Sequence, residues 1–523
     1  MSSSSTVFNL SEKIGPCSVA ARATQPVSGI RDAEDRVVQH LADTVDNREG
    51  TNKWALLALV AVGTFMTTLD SSIVNISLPS IARTFHTPLN GAVEWVIIAY
   101  LVVIAATLLT FGRLSDTLGR KPVWIAGLVL FTLGSVLCGA ASSLPVLVAA
   151  RAFQGLGGAL ILAPSVAIVT DAFPAGEYGL ALGLNAVVVA LGASAGPTLG
   201  GLITEHFSWR WIFYLNVPVG VLGLLGAYRV LGNSGKRKQE PFDHVGTRLL
   251  AVGFAALVLG LSFGQEWGWT SIPLLTCLAL SLVSLLTAAR VERCVRNPII
   301  NLALLRNRVF ASALLSMTLA MLALSAVSFM LPFYFEELRG FSAAKSGLLL
   351  TPLPLTIAVV APVSGSLADR IGSRWLASGG LAIVCFGLLL LTRLDAQSSE
   401  WDGIWCLVIT GLGQGIFQSP NTRALMNASP ADEHGEASGL LATGRVIGQS
   451  LSVALTGAIF ASCGGATAGR MLASPALRGT LSASDINALQ QTFLASLRAA
   501  FLVCAAIAAV GSFMALVRRN AVW

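Results

Sequence analysis

Charge is what this chain lacks. Of its 523 residues only 12% are Asp, Glu, Lys or Arg, against roughly a quarter in a soluble domain. Hydrophobic residues make up 54% and the mean hydropathy is +0.72. A soluble globular fold is thereby excluded, and a helical protein crossing the membrane many times is implied. Paired cysteines are lacking too. The eight (Cys17, Cys138, Cys277, Cys294, Cys385, Cys406, Cys463, Cys504) are scattered with no CxxC. Most fall in or beside apolar runs, where a lone Cys is a small packing residue, so no disulfide framework is implied. The five His are dispersed outside the apolar runs, which argues against a metal site. No nucleophile–base constellation or phosphate loop appears, so neither an enzyme nor a cofactor is expected. The net charge of +7 does not indicate nucleic acid, because the basic residues sit in short loops without an interleaved aromatic patch.

What is present is a succession of apolar runs, each near the ~20 residues that a spanning helix needs. Residues 1–51 precede them: Ser-rich, mixed in charge, without a signal-peptide core, and expected as a cytoplasmic tail, mostly disordered, with at most a short helix around Asp32–Val45. Spans are expected near 54–76, 93–113, 123–141, 145–168, 180–203 and 211–230, then 248–264 and 271–289, then 310–333, 346–368, 375–392, 403–424, 438–460 and 493–516. That makes fourteen. Basic residues follow alternate spans: Arg113, Arg120 and Lys121 after the second, Lys236-Arg237-Lys238 after the sixth, five Arg after the eighth (Arg290, Arg293, Arg296, Arg306, Arg308), Arg370 and Arg374 after the tenth, Arg518 and Arg519 after the last. The excess of positive charge on cytoplasmic loops then places both termini in the cytoplasm.

The chain also repeats itself. Gly112-Arg-Leu-Ser-Asp116-Thr-Leu-Gly119-Arg120-Lys121 recurs as Gly365-Ser-Leu-Ala-Asp369-Arg370-Ile-Gly372-Ser-Arg374, each between the second and third span of a six-span block. Two such halves, 54–230 and 310–519, joined by a linker 231–309 that carries two inserted spans, match the plan of parallel-repeat transporters with a site near the midplane. In the loop itself Asp116 can accept from the N-terminus of a neighbouring helix. Arg120 and Lys121 can pair with acids or lipid phosphate, and Gly119 permits a tight reversal. In the second copy Asp369 aligns with Asp116, and Arg370 beside it, opposite Thr117, is a further candidate for the same role.

Two charged residues stand inside spans. Asp70 lies in Leu69-Asp70-Ser-Ser-Ile-Val-Asn75 and Arg151 in Arg151-Ala-Phe-Gln154-Gly155. A carboxylate at bilayer depth costs ~2.5–3.5 kcal/mol on insertion scales and is functional by default. Burial disfavours an unpaired carboxylate, which makes Asp70 a candidate proton carrier. Counted at ~1.5 Å per residue, Asp70 and Arg151 both lie ~9 Å from the outer ends of their spans, so a proton-sensitive Asp–Arg pair is reasonable, and so is a static bridge. Removing the carboxylate by Asp70→Asn is expected to leave insertion intact. Asn75, Gln154, Arg445 and Gln449 are further polar candidates for the walls of a cavity.

The fifth span carries Gly192-Ala-Ser-Ala-Gly196-Pro197-Thr-Leu-Gly200-Gly201 with no charge from Leu180 to Thr204. A lipid-exposed loop is excluded there, so the stretch must be a helix whose small face meets another helix closely. A helix of the other half is the expected neighbour. This pattern resembles the antiporter motif of major facilitator superfamily exporters, and Gly112–Lys121 resembles that superfamily's signature loop, with Thr117 where the family often has Arg. Asp70 falls in a stretch similar to the first-helix motif of the fourteen-span drug:proton antiporter branch, and Arg151 in one similar to the fourth-helix motif. Ser208–Gly220, and Ser438-Gly439 followed by Arg445 and Gly448, resemble that branch's sixth and thirteenth helices. The resemblance implies an all-α fold of two six-helix bundles plus two inserted helices. It further implies a monomeric exporter in the cell membrane that expels small amphipathic compounds against an inward flow of protons. A proton-coupled nutrient symporter or a non-transporting sensor of the same fold are the alternatives.

Overall fold

The computed structural model describes residues 52–517 apart from 87–92, 94, 232–242, 269, 296–300, 431–432 and 474–481. The expected N-terminal tail, the Lys236-Arg237-Lys238 segment, Arg296, Arg518 and Arg519 lie outside the described residues. Each of the fourteen expected segments falls on a long helix. In chain order these are α1 (Lys53–Thr84), α2 (Trp95–Leu118), α3 (Arg120–Gly139), α4 (Leu144–Ala172) and α5 (Tyr178–His206). Then come α6 (Arg210–Val230, with a turn at Leu215), α7 (His244–Trp267), α8 (Ile272–Cys294), α9 (Arg308–Phe333) and α10, which is Ala343–Leu350 running on as Pro352–Ile371. The last four are α11 (Ser373–Leu391), α12 (Glu400–Asn427), α13 (His434–Ser462) and α14 (Ala483–Leu516). Thirteen of them, among the described residues, are long and apolar enough to cross a membrane. The exception, α12, is long enough at 28 residues but buries Thr410, Gln414, Ser419, Asn421 and Thr422, polar groups that lower its apolar content.

The helix ends follow local chemistry. Side chains of Asn52, Asp243, Ser271 and Asn307 accept backbone N–H groups at the starts of α1, α7, α8 and α9. Ser399 with Asp402, and Ser482 with Asp485, form reciprocal capping boxes on α12 and α14, satisfying donors that have no intrahelical partner. Gly119 and Gly372 sit at φ of +95° and +88°, a conformation that costs glycine nothing and other residues much. They make the same reversal in each half, α2 into α3 and α10 into α11. The boundaries differ from expectation mainly by extension. α1 runs to Thr84 rather than residue 76, α14 begins ten residues early, and α9 ends in a π-helical turn, Tyr334–Leu338, because helical hydrogen bonding continues past the apolar window.

Packing repeats between the halves. In α1–α6, a Cβ on Gly127 would meet the α4 backbone at 2.9 Å, and one on Gly134 would meet the Gln154 Cα at 2.7 Å. In α9–α14, Gly380 and Gly387 stand in the same relation to the Phe417 nitrogen (2.6 Å) and the Thr410 Cα (3.0 Å). Such close approach is the usual means of holding helices together where lipid removes the hydrophobic drive. Trp124 and Phe131 fill the first half beside α1 and α4, while Phe417 and Leu381 fill the second, all fully buried. The inserted pair, α7 and α8, packs on itself through Gly253 and Leu285. It lies against α2 and α13, with the Trp95 ring 5.1 Å from Phe263 and Phe263 stacked on Trp267 at 5.0 Å.

Candidate functional site

Two sites stand out, one inside the first half and one across both halves. The first is built on α4. Arg151 is two turns into that helix and is completely buried, as is Asp70 on α1. One Arg151 Nη1–H donates to Asp70 Oδ2 at 2.6 Å, Nη1 also donates to Gln154 Oε1 at 2.6 Å, and Nε donates to the Val96 carbonyl at 2.9 Å. The other Asp70 oxygen accepts from Gln154 Nε2 (3.0 Å) and from Asn216 Nδ2 on α6 (2.9 Å). Gln154 Nε2 donates in addition to Ser135 Oγ on α3 at 2.8 Å. The guanidinium lies against Tyr100 of α2, 4.2 Å from the ring centroid, an arrangement that suits a desolvated Arg.

Asp70 and Arg151 therefore meet as their expected depths suggest. Gln154 does not line an open cavity as expected. It is fully buried inside the ion-pair network, which needs its amide to satisfy the second carboxylate oxygen. The sequence reading missed Asn216, Ser135 and Tyr100 as members. Asn216 had a signal, being the polar residue in the apolar stretch from Trp211 to Gly220; Ser135 and Tyr100 had none.

The second site joins the halves at the end of the bundle that carries the repeated loops, here termed the basic end. Asp116, at the end of α2, accepts from the Gly435 N–H (3.0 Å) and the Glu436 N–H (2.8 Å), the first turn of α13. Asp369, at the end of α10, accepts from the Gly179 N–H (2.9 Å) and the Leu180 N–H (3.1 Å), the first turn of α5. Each half thus caps a helix of the other with a carboxylate on two open amides and a positive helix end. The sequence reading assigned this chemistry to Asp116; the matching clasp at Asp369 completes a two-fold arrangement.

Arginines brace both carboxylates. Arg120 lies 3.5 Å from Asp116 and pairs with Asp171 at the end of α4. Arg423 of α12, not the exposed Arg370, pairs with Asp369 at 2.7 Å. Lys121 reaches the Leu231 carbonyl at 2.5 Å, tying α3 to the end of α6. Behind the clasp Glu436 is fully buried. One of its oxygens accepts from the Asn301 N–H at 2.5 Å and the other is 4.0 Å from Arg113. Glu436 went unrecognised because the thirteenth span was expected to start two residues later.

Glycines let this interface close. A Cβ on Gly112 would lie 2.8 Å from the Gly435 carbonyl oxygen, and one on Gly183 2.5 Å from the Ala361 oxygen. Gly179 and Gly365 approach backbone to backbone, with the Ser419 hydroxyl donating to the Gly179 carbonyl at 2.7 Å.

The antiporter-type stretch is placed differently from expectation. Gly192, Gly196 and Gly200 do not face the other half; they press on α1, where added Cβ atoms would meet Thr68 and Leu69, Ser72, and Ile73 respectively. The Ser72 hydroxyl donates to the Gly192 carbonyl at 3.1 Å. Helical spacing explains the difference. Gly192 follows Gly183, which meets α10, by nine residues, half a turn out of phase at 100° per residue, so the 192–196–200 row faces α1 on the opposite side of α5. Gly201 has nothing within 4 Å, and the Pro197 side chain lies outside the described residues. Asn75 and Gln449 are exposed and Arg445 is half-buried on α13.

Two structurally repeated helical halves, clasped across a seam and holding a buried ion pair, define a multi-pass membrane protein of the transporter type. Comparison gives the family. Residues 60–453 match the Major Facilitator Superfamily, and the chain belongs to that superfamily. It is 35% identical over 411 residues to a riboflavin transporter of Clostridioides difficile, covering 78% of this chain and 88% of that protein. It is 34% identical over 419 residues to the multidrug resistance protein Stp of Mycobacterium tuberculosis, covering 79% and 77%. Against the tetracenomycin C resistance and export protein of Streptomyces glaucescens it is 29% identical over 495 residues, 90% and 92% of the two chains. Among solved structures, the human organic anion transporter MFSD10 superposes with a TM-score of 0.61 at 15% identity, covering 89% of this chain and 99% of that one. The proton:xylose symporter XylE gives 0.60 at 13%, covering 88% and 94%. At such identities these two likenesses establish the fold.

Proposed function

We propose that this protein is a secondary active exporter, one that uses inward proton flow to expel small amphipathic compounds through alternating access. In this reading it resides in the cell membrane with both termini cytoplasmic, acts as a monomer, and needs no cofactor beyond the proton gradient. The observation that carries the proposal is the buried Asp70–Arg151 pair, where a proton and a fixed cation compete for one carboxylate inside a span. Protonation of Asp70 removes its attraction for Arg151 and loosens the links that it makes between α1, α4 and α6. Loss of the proton restores them. The pair is thus a two-position element whose state differs between loaded and unloaded transporter. The drug-resistance and export names of relatives that match most of the chain support the direction.

The carboxylate clasps at the basic end act as the cytoplasmic gate. While Asp116 and Asp369 hold the first turns of α13 and α5, the halves cannot part on that side. Each cycle must break both clasps, which makes them determinants of turnover more than of affinity.

The test is reconstitution. Proteoliposomes carrying the pure protein and an imposed proton gradient are assayed for flux of a chemically mixed panel, with and without an uncoupler. Proton-dependent transport in the export direction supports the reading, and transport indifferent to the uncoupler refutes it. Metabolite uptake is a second reading, favoured by the likeness to a riboflavin transporter. Flux of substrate in the same direction as protons would establish it.

A further inference from the structure

Arg445 is the basic residue of α13 that the mechanism above leaves unused. Among the described residues it makes no ion pair and no hydrogen bond, and its Nε is buried without a partner. The other inward arginines are all neutralised: Arg151 by Asp70, Arg120 by Asp116 and Asp171, Arg423 by Asp369. Its position follows from the faces of α13. Gly435 and Gly439 meet α2, Gly444 and Gly448 meet α9, and His434 reaches Asp171 and Thr170 of α4. At 100° per residue Arg445 falls on the same side as His434, the side turned toward the first half. Eleven residues beyond His434, it is ~16 Å along the helix, well inside the span.

Its neighbours on that side are also short of partners. Ser438 and Ser452, two turns below and above, each bury a hydroxyl oxygen with no hydrogen bond. A cation inside a span is costly unless something compensates it, and nothing in the described protein does. A guanidinium is a planar fork of donors suited to two oxygens of one anionic group. We infer that Arg445 is the recognition point for a carboxylate on the transported compound, so that the exporter's substrates are organic anions with an apolar body. This rests on the export reading and narrows it.

A consequence is electrical. Export of a monoanion in exchange for one entering proton carries two positive charges inward, whereas export of a monocation for one proton carries none. An inside-negative potential therefore accelerates the former and leaves the latter unchanged.

The experiment uses the full-length protein in proteoliposomes with three probes: pyrenebutyrate, its neutral methyl ester, and ethidium. Wild type is expected to bind pyrenebutyrate at least ten-fold more tightly than the ester and to transport it faster under a valinomycin-imposed potential. Arg445→Gln is expected to lose that ten-fold preference while keeping ester or ethidium flux, and Arg445→Lys to keep part of it. Equal wild-type affinity for acid and ester overturns the inference without calling on any variant. So does an unchanged preference in a folded Arg445→Gln, or loss of all three fluxes together, which would make Arg445 a structural cation. If pyrenebutyrate binds with an Arg445-dependent preference but no probe is moved by a proton gradient, the export reading fails and the carboxylate site stands. If ethidium and ester are exported and pyrenebutyrate is not, the export reading stands and the carboxylate site fails.

Discussion

Replacing Asp70 by Asn tests the ion pair most directly, and its structural context changes the expected result. A lone acid at bilayer depth would be removed at no cost. Asp70 is not alone. It is completely buried, and its two oxygens accept from Arg151, Gln154 and Asn216. With asparagine in its place, the amide oxygen can still accept from Gln154 and Asn216, but the NH2 group then faces the Arg151 guanidinium, donor against donor. The guanidinium also loses its counter-charge while remaining fully buried. Breaking a buried pair from one side costs about 3–5 kcal/mol, or more than a hundred-fold in the folded fraction at ~1.4 kcal/mol per decade. Asp70→Asn should therefore lower the unfolding midpoint of the purified protein in detergent and abolish proton-coupled flux. Adding Arg151→Gln should recover most of the lost stability, because the stranded charge is gone, without recovering coupling. The assay is a double-mutant cycle on unfolding, run beside flux measured per folded molecule. A single mutant as stable as wild type, or a double mutant no more stable than the single, would refute the buried ion pair. Normal coupled flux in the single mutant would refute its role.

Three further outcomes follow from the same geometry. Asp116→Asn and Asp369→Asn should each remove the charge and leave one of the two capped N–H groups facing an amide NH2, a cost of about 1 kcal/mol, and slow turnover several-fold with little change in half-saturation. Steady-state flux checks this, and a changed affinity at constant rate would place these residues in the binding site instead. Gly196→Leu should push Ser72 and displace α1 beside Asp70, impairing coupling, whereas Gly183→Leu should wedge α5 from the Ala361 carbonyl of α10 and open the basic end. Accessibility of cysteines introduced along that seam distinguishes them, labelling being expected only in the second. Ser399→Ala should remove the capping box of α12 and cost about 1 kcal/mol without altering flux per folded molecule.

Much of this protein was legible in its residues alone, because the bilayer allows few solutions. Apolar runs of spanning length have to become helices, which placed fourteen segments that all fall on long helices. The repeat of Gly112–Lys121 at 365–374 revealed two halves, and Asp70 and Arg151 betrayed themselves by cost, since a span holds a charge only for a reason. Tertiary structure decided the rest, which concerns which face of a helix meets which neighbour. Composition cannot say whether a row of glycines leans on its own half or the other; Gly192, Gly196 and Gly200 lean on α1, and only Gly179 and Gly183 reach across to α10. Nor could it choose between Arg370 and Arg423 as the partner of Asp369, or bring Asn216 and Gln154 to the second oxygen of Asp70. Hydrophobicity is a property of a segment and acts without direction, so a sequence displays it. A hydrogen bond or ion pair between distant segments depends on rotations and offsets of whole helices, and these exist only once the bundle has packed.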